Sequence, residues 1–415
     1  MSEWKNLRIK DIAKCIGSGA TPKSTNMQYY ENGEFSWVNT GDLTNDIVYK
    51  CSQCITQAAL NDLPNLRFYP KDTIIVAMYG ATIGKVGLLN MKSTVNQACC
   101  AIVPNCNIIN PKFGLYYLLN YKDRLVGSSC GSTQPNVSQD KVQRIPITLP
   151  SISDQSRIID YLDVKTSAID SRISVLEQKR DAYERLKKSI INDAVTHGLN
   201  PNVKTKDSGV EWIGEIPEHW DIVEMKYYCK KIFSGATPST NEASYWNGDI
   251  PWISSGACHD KIITTYTNTI TKEGLSHSST KLVPKGTTLL AMTGATCGNT
   301  GYLGFDTCTN QSICAYLENK KVCFSKYLFY MLQGARSYVT MFKTGGVQGG
   351  INIQNCSEFK VPKVPYVEQQ EIVIHLDDKL SKVDSAVTLL NAQIEKYKLL
   401  KRSLINEVIT GQRAV

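Results

Sequence analysis

Ser18-Gly19-Ala20-Thr21-Pro22 returns unchanged as Ser234-Gly235-Ala236-Thr237-Pro238. The agreement continues in register on both sides. Trp4 answers to Trp220, Trp37 to Trp252, and Asn96-Gln97 to Asn310-Gln311. Gly80-Ala81-Thr82-Ile83-Gly84 answers to Gly294-Ala295-Thr296-Cys297-Gly298. The offset stays at about 214 to 216 residues, so the chain is one long duplication and not a short-period solenoid. Two similar but non-identical halves can hold two similar but non-identical things.

Each copy has two textures. The first is rich in Gly, Ser, Thr, Asn and Tyr, with short β-like runs such as Ile74-Ile75-Val76-Ala77 and Thr288-Leu289-Leu290-Ala291 ended by turns at Gly80 and Gly294. A helix is expected over 112–120, with its counterpart over 325–333. The second texture is a heptad: Leu162, Ile169, Leu176, Tyr183 and Ile190 in copy one, and Leu376, Val383, Leu390, Tyr397 and Leu404 in copy two. Ile173 and Leu186, and Leu380, Val387, Ile394 and Leu400, are expected to widen that stripe.

Such a helix is too narrow to bury itself, and its duplicate is the obvious partner, most simply antiparallel. Ser151-x-x-Asp154 starts the first helix; Gly198 and Pro201 end it, and Gly411 ends the second. At 1.5 Å per residue it would be roughly 65 Å long. That is near twice the roughly 34–36 Å of one DNA turn, so it could act as a ruler. The expected class is α+β: globular domains over 1–150 and 218–364, long helices over 151–199 and 365–415 pairing as an antiparallel coiled coil, and a connector over 200–217. The two tryptophans of the connector region, Trp212 and Trp220, imply that it docks.

The chain has 415 residues, 42% of them hydrophobic, enough for two to four folded domains. No stretch is apolar enough to span a bilayer and no signal-peptide core follows Met1, which predicts cytoplasmic residence. The fourteen cysteines fit a reducing compartment. Cys51-x-x-Cys54 has no second pair at zinc-ribbon distance and reads as two reduced thiols. Cys258-His259 could meet Cys297 or Cys308 only through folding, so no metal site is expected. A net charge of +8 suits a polyanionic partner without demanding one.

Catalytic signatures are missing. There is no phosphate-binding G-x-x-x-x-G-K-[ST], no G-x-G-x-x-G after a strand, no H-E-x-x-H, and no Asp/Asn-Pro-Pro-aromatic tetrapeptide. None of the five histidines recurs in both copies. The chain reads as a binder with no catalytic residues.

The shared motifs suit backbone amides and hydroxyls approaching phosphates, and Asn or Gln amides reading adenine edges. Three loop pairs follow. The first holds Ser18, Thr21, Lys23 and Ser24, with Ser234, Thr237 and Ser239. The second holds Tyr79, Thr82 and Lys85, with Thr293, Thr296 and Asn299, and beside it Gln97 and Gln311. The third holds Ser132, Gln134 and Asn136, with Gln348 and Asn352. Gly80, Gly84, Gly294 and Gly298 read as structural, and Trp37 and Trp252 as core anchors. Residues reading different sequences should differ between copies. That points to about 40–70 and 254–284, with Lys50, Arg67, Lys71, Lys85, Lys92, His259, Lys261, Lys272 and Lys281 in or beside them.

In their order along the chain these pieces resemble the specificity subunit of type I restriction–modification systems. The resemblance rests on the domain–helix–domain–helix order, the SGATP openings, Tyr245-Trp246-Asn247-Gly248-Asp249-Ile250-Pro251-Trp252, the Gly80 and Gly294 motifs, Gly131-Ser132-Thr133-Gln134, and the glutamines at Gln155 and Gln369. The connector from Val203 to Pro217 is the most specific match. It implies that each globular domain is a target-recognition domain for one half of a split double-stranded DNA sequence, and that the helices fix the gap. It also implies two modification subunits that carry S-adenosylmethionine and methylate adenine, optional restriction subunits driven by ATP with Mg, and no cofactor on this chain. Head two departs from head one at Gly349-Gly350-Ile351-Asn352. Two other readings remain: a coiled-coil protein-interaction scaffold without DNA reading, and an enzyme whose active site lies in the Cys/His-bearing second head.

Overall fold

The computed structural model describes residues 4–127, 136–344 and 349–415. It divides into two units, Met1–Leu176 with Ala392–Val415, and Glu177–Asn391. Each unit is one head plus a piece of each long helix.

The two heads share a plan. Head one centres on a five-stranded sheet ordered Ala13–Ser18, Cys99–Pro104, Ile74–Ala77, Val86–Leu89, Ile47–Val48. Head two repeats it with Lys231–Ser234, Ile313–Leu317, Thr288–Ala291, Thr300–Leu303, Lys261–Ile263. The central strands are apolar on both faces and buried throughout, as short continuous runs of this kind require. A smaller sheet carries Trp37 or Trp252. Both indoles are buried core anchors.

The helix expected over 112–120 continues to Gly127; its counterpart is Ser325–Gly334. Leu125, seven residues after Leu118 and buried like it, carries the apolar face past Asn120.

The long helices are Ile152–His197 and Tyr366–Ile409. Ser151 caps the first, its hydroxyl accepting from the Asp154 amide at 3.2 Å. In the first unit Leu404, Val408 and Ile409 share a core with Ile158, Ile159 and Leu162. Further along, Lys401 pairs with Asp170 at 2.6 Å. In the second unit Ile191, Ala194 and Val195 meet Ile372, Val373, Leu376 and Leu380, and Lys187 pairs with Asp384 at 2.5 Å. Within each unit the two segments therefore run antiparallel.

Leu162, Leu176, Leu376, Val383, Leu390 and Leu404 are buried; Ile169, Tyr183, Ile190 and Tyr397 are half-buried. One expectation fails. Leu186 and Leu400 do not widen the stripe; they are 46% and 52% exposed. The companion row lies four residues after each heptad position, where Thr166, Leu380, Lys187 and Lys401 point inward. Leu186 and Leu400 lie three residues after, on the other side of the seam.

The same contacts join each head to its own helix. Lys112 and the Tyr116 hydroxyl both donate to Asp163, at 2.5 and 2.7 Å. Lys326 and Tyr330 both donate to Asp377 at 2.6 Å. Burial raises both phenols, so each stays protonated as the donor. Gln155 is buried; its Oε1 accepts from the Asn110 amide at 2.8 Å and its Nε2 donates to Ile108 and Pro150 carbonyls. Gln369 does the same with the Phe324 amide at 2.7 Å and the Val322 and Val364 carbonyls.

The connector forms a hairpin, Thr205–Asp207 against Glu215–Pro217. It docks on head two: Val210, Ile213 and Ile216 enter the core, Trp212 stacks on Tyr338 at 5.9 Å, and its indole N–H donates to the Lys360 carbonyl at 3.3 Å.

Candidate nucleic-acid interface

In each head the three motifs meet at the end of one central strand. The SGATP loop lies against the Asn96 or Asn310 turn. Gly19 N–H donates to the Asn96 carbonyl at 3.4 Å, and Ala236 N–H to the Thr309 carbonyl at 2.9 Å. A Cβ on Gly19 would stand 1.6 Å from the Val95 carbonyl oxygen, and one on Gly235 would stand 1.9 Å from that of Thr309. Only glycine permits that approach. Two aromatic donors then hold each loop. Trp37 donates to Ala20 at 3.1 Å and Tyr30 to Pro22 at 2.7 Å. Trp252 donates to Ala236 at 3.1 Å and Trp246 to Ser239 at 3.0 Å.

The second loop is a tight turn, Gly80–Thr82 or Gly294–Thr296. Its glycines have φ of +69° and +72° with nothing near a would-be Cβ, so conformation alone selects them. The third loop adds a bridge beside it. Tyr79 faces Asn136 and Thr293 faces Gly350. The Val137 and Ile351 amides donate to the Met78 and Met292 carbonyls at 2.9 and 2.7 Å. The Met78 and Met292 amides donate to Ala98 and Ser312, both at 2.8 Å, which draws in Gln97 and Gln311.

The candidate side chains sit in this cluster as follows. Thr21, Lys23, Ser24, Tyr79, Gln97 and Asn136 are exposed in head one; Ser18, Thr82 and Lys85 are half-buried. In head two Thr237, Ser239, Gln311 and Asn352 are exposed; Ser234, Thr293, Thr296 and Asn299 are half-buried. The Thr237 hydroxyl donates to Gln311 Oε1 at 2.7 Å. Asn299 donates to the Cys258 carbonyl at 3.1 Å, and Asn352 accepts from the Asn355 amide at 2.7 Å as a helix cap. Ser132, Gln134 and Gln348 lie outside the described residues.

Sequence reasoning missed Phe233. It occupies the place of Gly17, and Lys231 and Lys281 lie over its ring at 5.6 and 5.5 Å. In head one Arg67 fills that space, its Nε donating to the Tyr69 hydroxyl at 3.1 Å, which donates to the Ser18 carbonyl. The substitution of Gly by Phe across an otherwise matched strand was the available signal.

No group of three or more His, Cys, Asp or Glu among the described residues could hold a metal. Cys258 is buried, and burial pushes its thiol up to about 12. No described helix is long and apolar enough to cross a membrane.

The type I restriction modification DNA specificity domain, as a family pattern, matches residues 1–178 and, a second time, residues 217–396. The chain belongs to that family. The EcoR124I/EcoR124II type I specificity subunit of Escherichia coli is 25% identical over 265 residues, spanning 61% of this chain and 59% of that one. The MjaVIII type I specificity subunit of Methanocaldococcus jannaschii is 21% identical over 419 residues, spanning 99% of this chain and 93% of that one. A solved chain from a study of type I R-M complex assembly and conformational transition shares the fold, with a TM-score of 0.74 at 16% identity over 98% of this chain and 97% of that one. As a type I specificity subunit the chain is non-catalytic, which removes the reading that put an active site in the second head. No relative supports the scaffold reading.

Proposed function

We propose that each head reads one half of a split DNA target and that the paired helices set the distance between the halves. One observation carries this. The two loop clusters share their scaffold, while side chains in and beside them differ at matched places. Tyr79 answers to Thr293, Lys85 to Asn299, and the Arg67–Gly17 pair to Lys281–Phe233. Identical frames with different side chains suit two different base sequences.

Two modification subunits that bind S-adenosylmethionine and methylate adenine dock on the helices and heads. Val175 and Leu389 are matched apolar residues exposed on the long helices, as are Leu186 and Leu400, about three turns further along. Exposed apolar residues repeated at helical spacing suit partner helices. Restriction subunits using ATP and Mg are optional members of the same complex, and the assembly works in the cytoplasm.

The test is single-molecule methylation sequencing of DNA from cells carrying this chain and its methylase, against cells lacking the chain. A methyladenine motif with two specified halves around a gap, lost on deletion, is expected. An unchanged methylome with an active methylase would overturn the reading.

A further inference from the structure

In head two a cleft of about 1040 Å³ opens between the head and the long helices. Its counterpart in head one is smaller, about 650 Å³. The two have opposite charge balance. Head one's cleft sets Asp46, Asp163 and Asp170 against Lys112 and Lys401. Head two's cleft sets Lys187, Lys188, Lys261 and Arg336 against Glu184, Asp260 and Asp384.

Pairing leaves specific groups over. Lys187 is taken by Asp384 and Arg336 by Asp260. Lys188 and Lys261 form no ion pair with a described residue. Asp260 occupies the place of Asn45, each backbone at positive φ with its side chain accepting from the facing strand, so Lys261 stands where head one has Asp46 and His259 where it has Thr44. Two buried donors on the same wall, Gln333 Nε2 and Arg336 Nε, have no acceptor among the described residues. Head one places Leu119 where Gln333 stands. Leaving a buried donor without a partner is destabilising, so this wall suits a ligand rich in acceptor oxygens.

The cleft is continuous with the loop cluster. Gly298, closing the second loop, lies against Thr340 and Arg336: a Cβ there would stand 2.7 Å from Thr340 Cγ2 and 3.7 Å from Arg336 Cγ. Both residues line the cleft. The geometry points to a phosphodiester grip: Lys188 and Lys261, with His259 and Gln333 beside them, hold the DNA backbone next to the half-site that head two reads. Head one has no such grip: Arg402, in the place of Lys188, is paired with Asp123, and Asp46 stands in the place of Lys261. This rests on the DNA-reading function proposed above. The grip positions the duplex and reads no base.

The test uses the full chain assembled with its modification subunit and a duplex bearing the motif that the complex methylates in cells. Affinity is measured against salt concentration for wild type and for Lys188→Gln/Lys261→Gln. Both side chains are at the surface, and neither supports the core. Each lost phosphate contact lowers the slope of log K on log salt by about 0.9, so the double variant should lose about 1.8. The ratio of affinities for target and scrambled half-site should stay unchanged, and phosphate-ethylation interference should vanish beside half-site two only. An unchanged slope in a complex that binds its target normally overturns the grip. So does a changed specificity ratio, which would mean base reading. Loss of assembly with the modification subunit also overturns it, and would make the cleft a protein dock. If the wild-type complex binds no DNA, the failure belongs to the specificity function itself.

Discussion

Trp4 closes over Gly411: a Cβ on that glycine would stand 3.1 Å from the indole Cζ2. Trp220 stands over Gly198 in the same way, at 3.2 Å. Both glycines end long helices with positive φ, +75° and +74°. Each tryptophan opens one head and covers the end of the helix that follows the other head. Duplication therefore built each unit from one head, the start of its own helix and the end of the other.

Gln369→Leu should loosen head two from its helix. The change strips the Phe324 amide and two carbonyls of their buried partner. The cost should be about 2–4 kcal/mol, since each orphaned group loses about 1–3 kcal/mol. Hydrogen exchange would show the loss of protection over residues 318–332 while head one keeps its own.

Gly19→Ala should silence one half-site. The new methyl cannot coexist with the Val95 carbonyl, so the loop must move. Gly80→Ala meets no atom and should cost only about 1–2 kcal/mol of left-handed strain. Methylation sequencing should show head one's half-site lost in the first variant and kept in the second.

The duplicated motifs and the heptads made two heads and two long helices legible before any coordinates. Leu162, Leu176 and Leu390 sit in the seam where the period put them. Asp163 and Lys112 were not legible, because charged residues on a helix usually read as solvated. The inward turn of Lys187 was missed for the same reason. In the loops, conserved spacing located the cluster, but whether Thr237 turns toward Gln311 depends on backbone geometry that no spacing encodes.

Trp212→Ala should destabilise the second unit by about 2–4 kcal/mol through the lost stack on Tyr338 and the lost hydrogen bond to Lys360. Head one needs no such plug. There Tyr117 donates to the Pro146 carbonyl, the counterpart of Lys360, at 2.9 Å. Tyr117→Phe should cost only about 1 kcal/mol. Denaturant unfolding followed by exchange in each unit separates the two effects.

Leu389→Glu and Val175→Glu should leave the chain folded, with stability changes within about 0.5 kcal/mol, because both sites are exposed. Co-purification with the modification subunit should fall sharply. Unchanged assembly would remove these residues from the dock.

Alkylation at pH 8 should label Cys15 and Cys106, which are exposed, and spare Cys258. Burial raises the Cys258 thiol to about 12, so below that pH it stays protonated and unreactive. Mass spectrometry of iodoacetamide-treated protein reads the difference directly.

Leu404, Val408 and Ile409 complete the core of head one. A ribosome makes the strands of that head before head two and these residues after it. The second unit draws all its parts from Glu177–Asn391, so it can close while the first still waits for its final helix turns. The head that is made before the other is thus completed after it. A nascent chain stalled before residue 404 would carry one head with all its parts and one with an open apolar seat, so the turns over 404–409 close head one only after head two has been made.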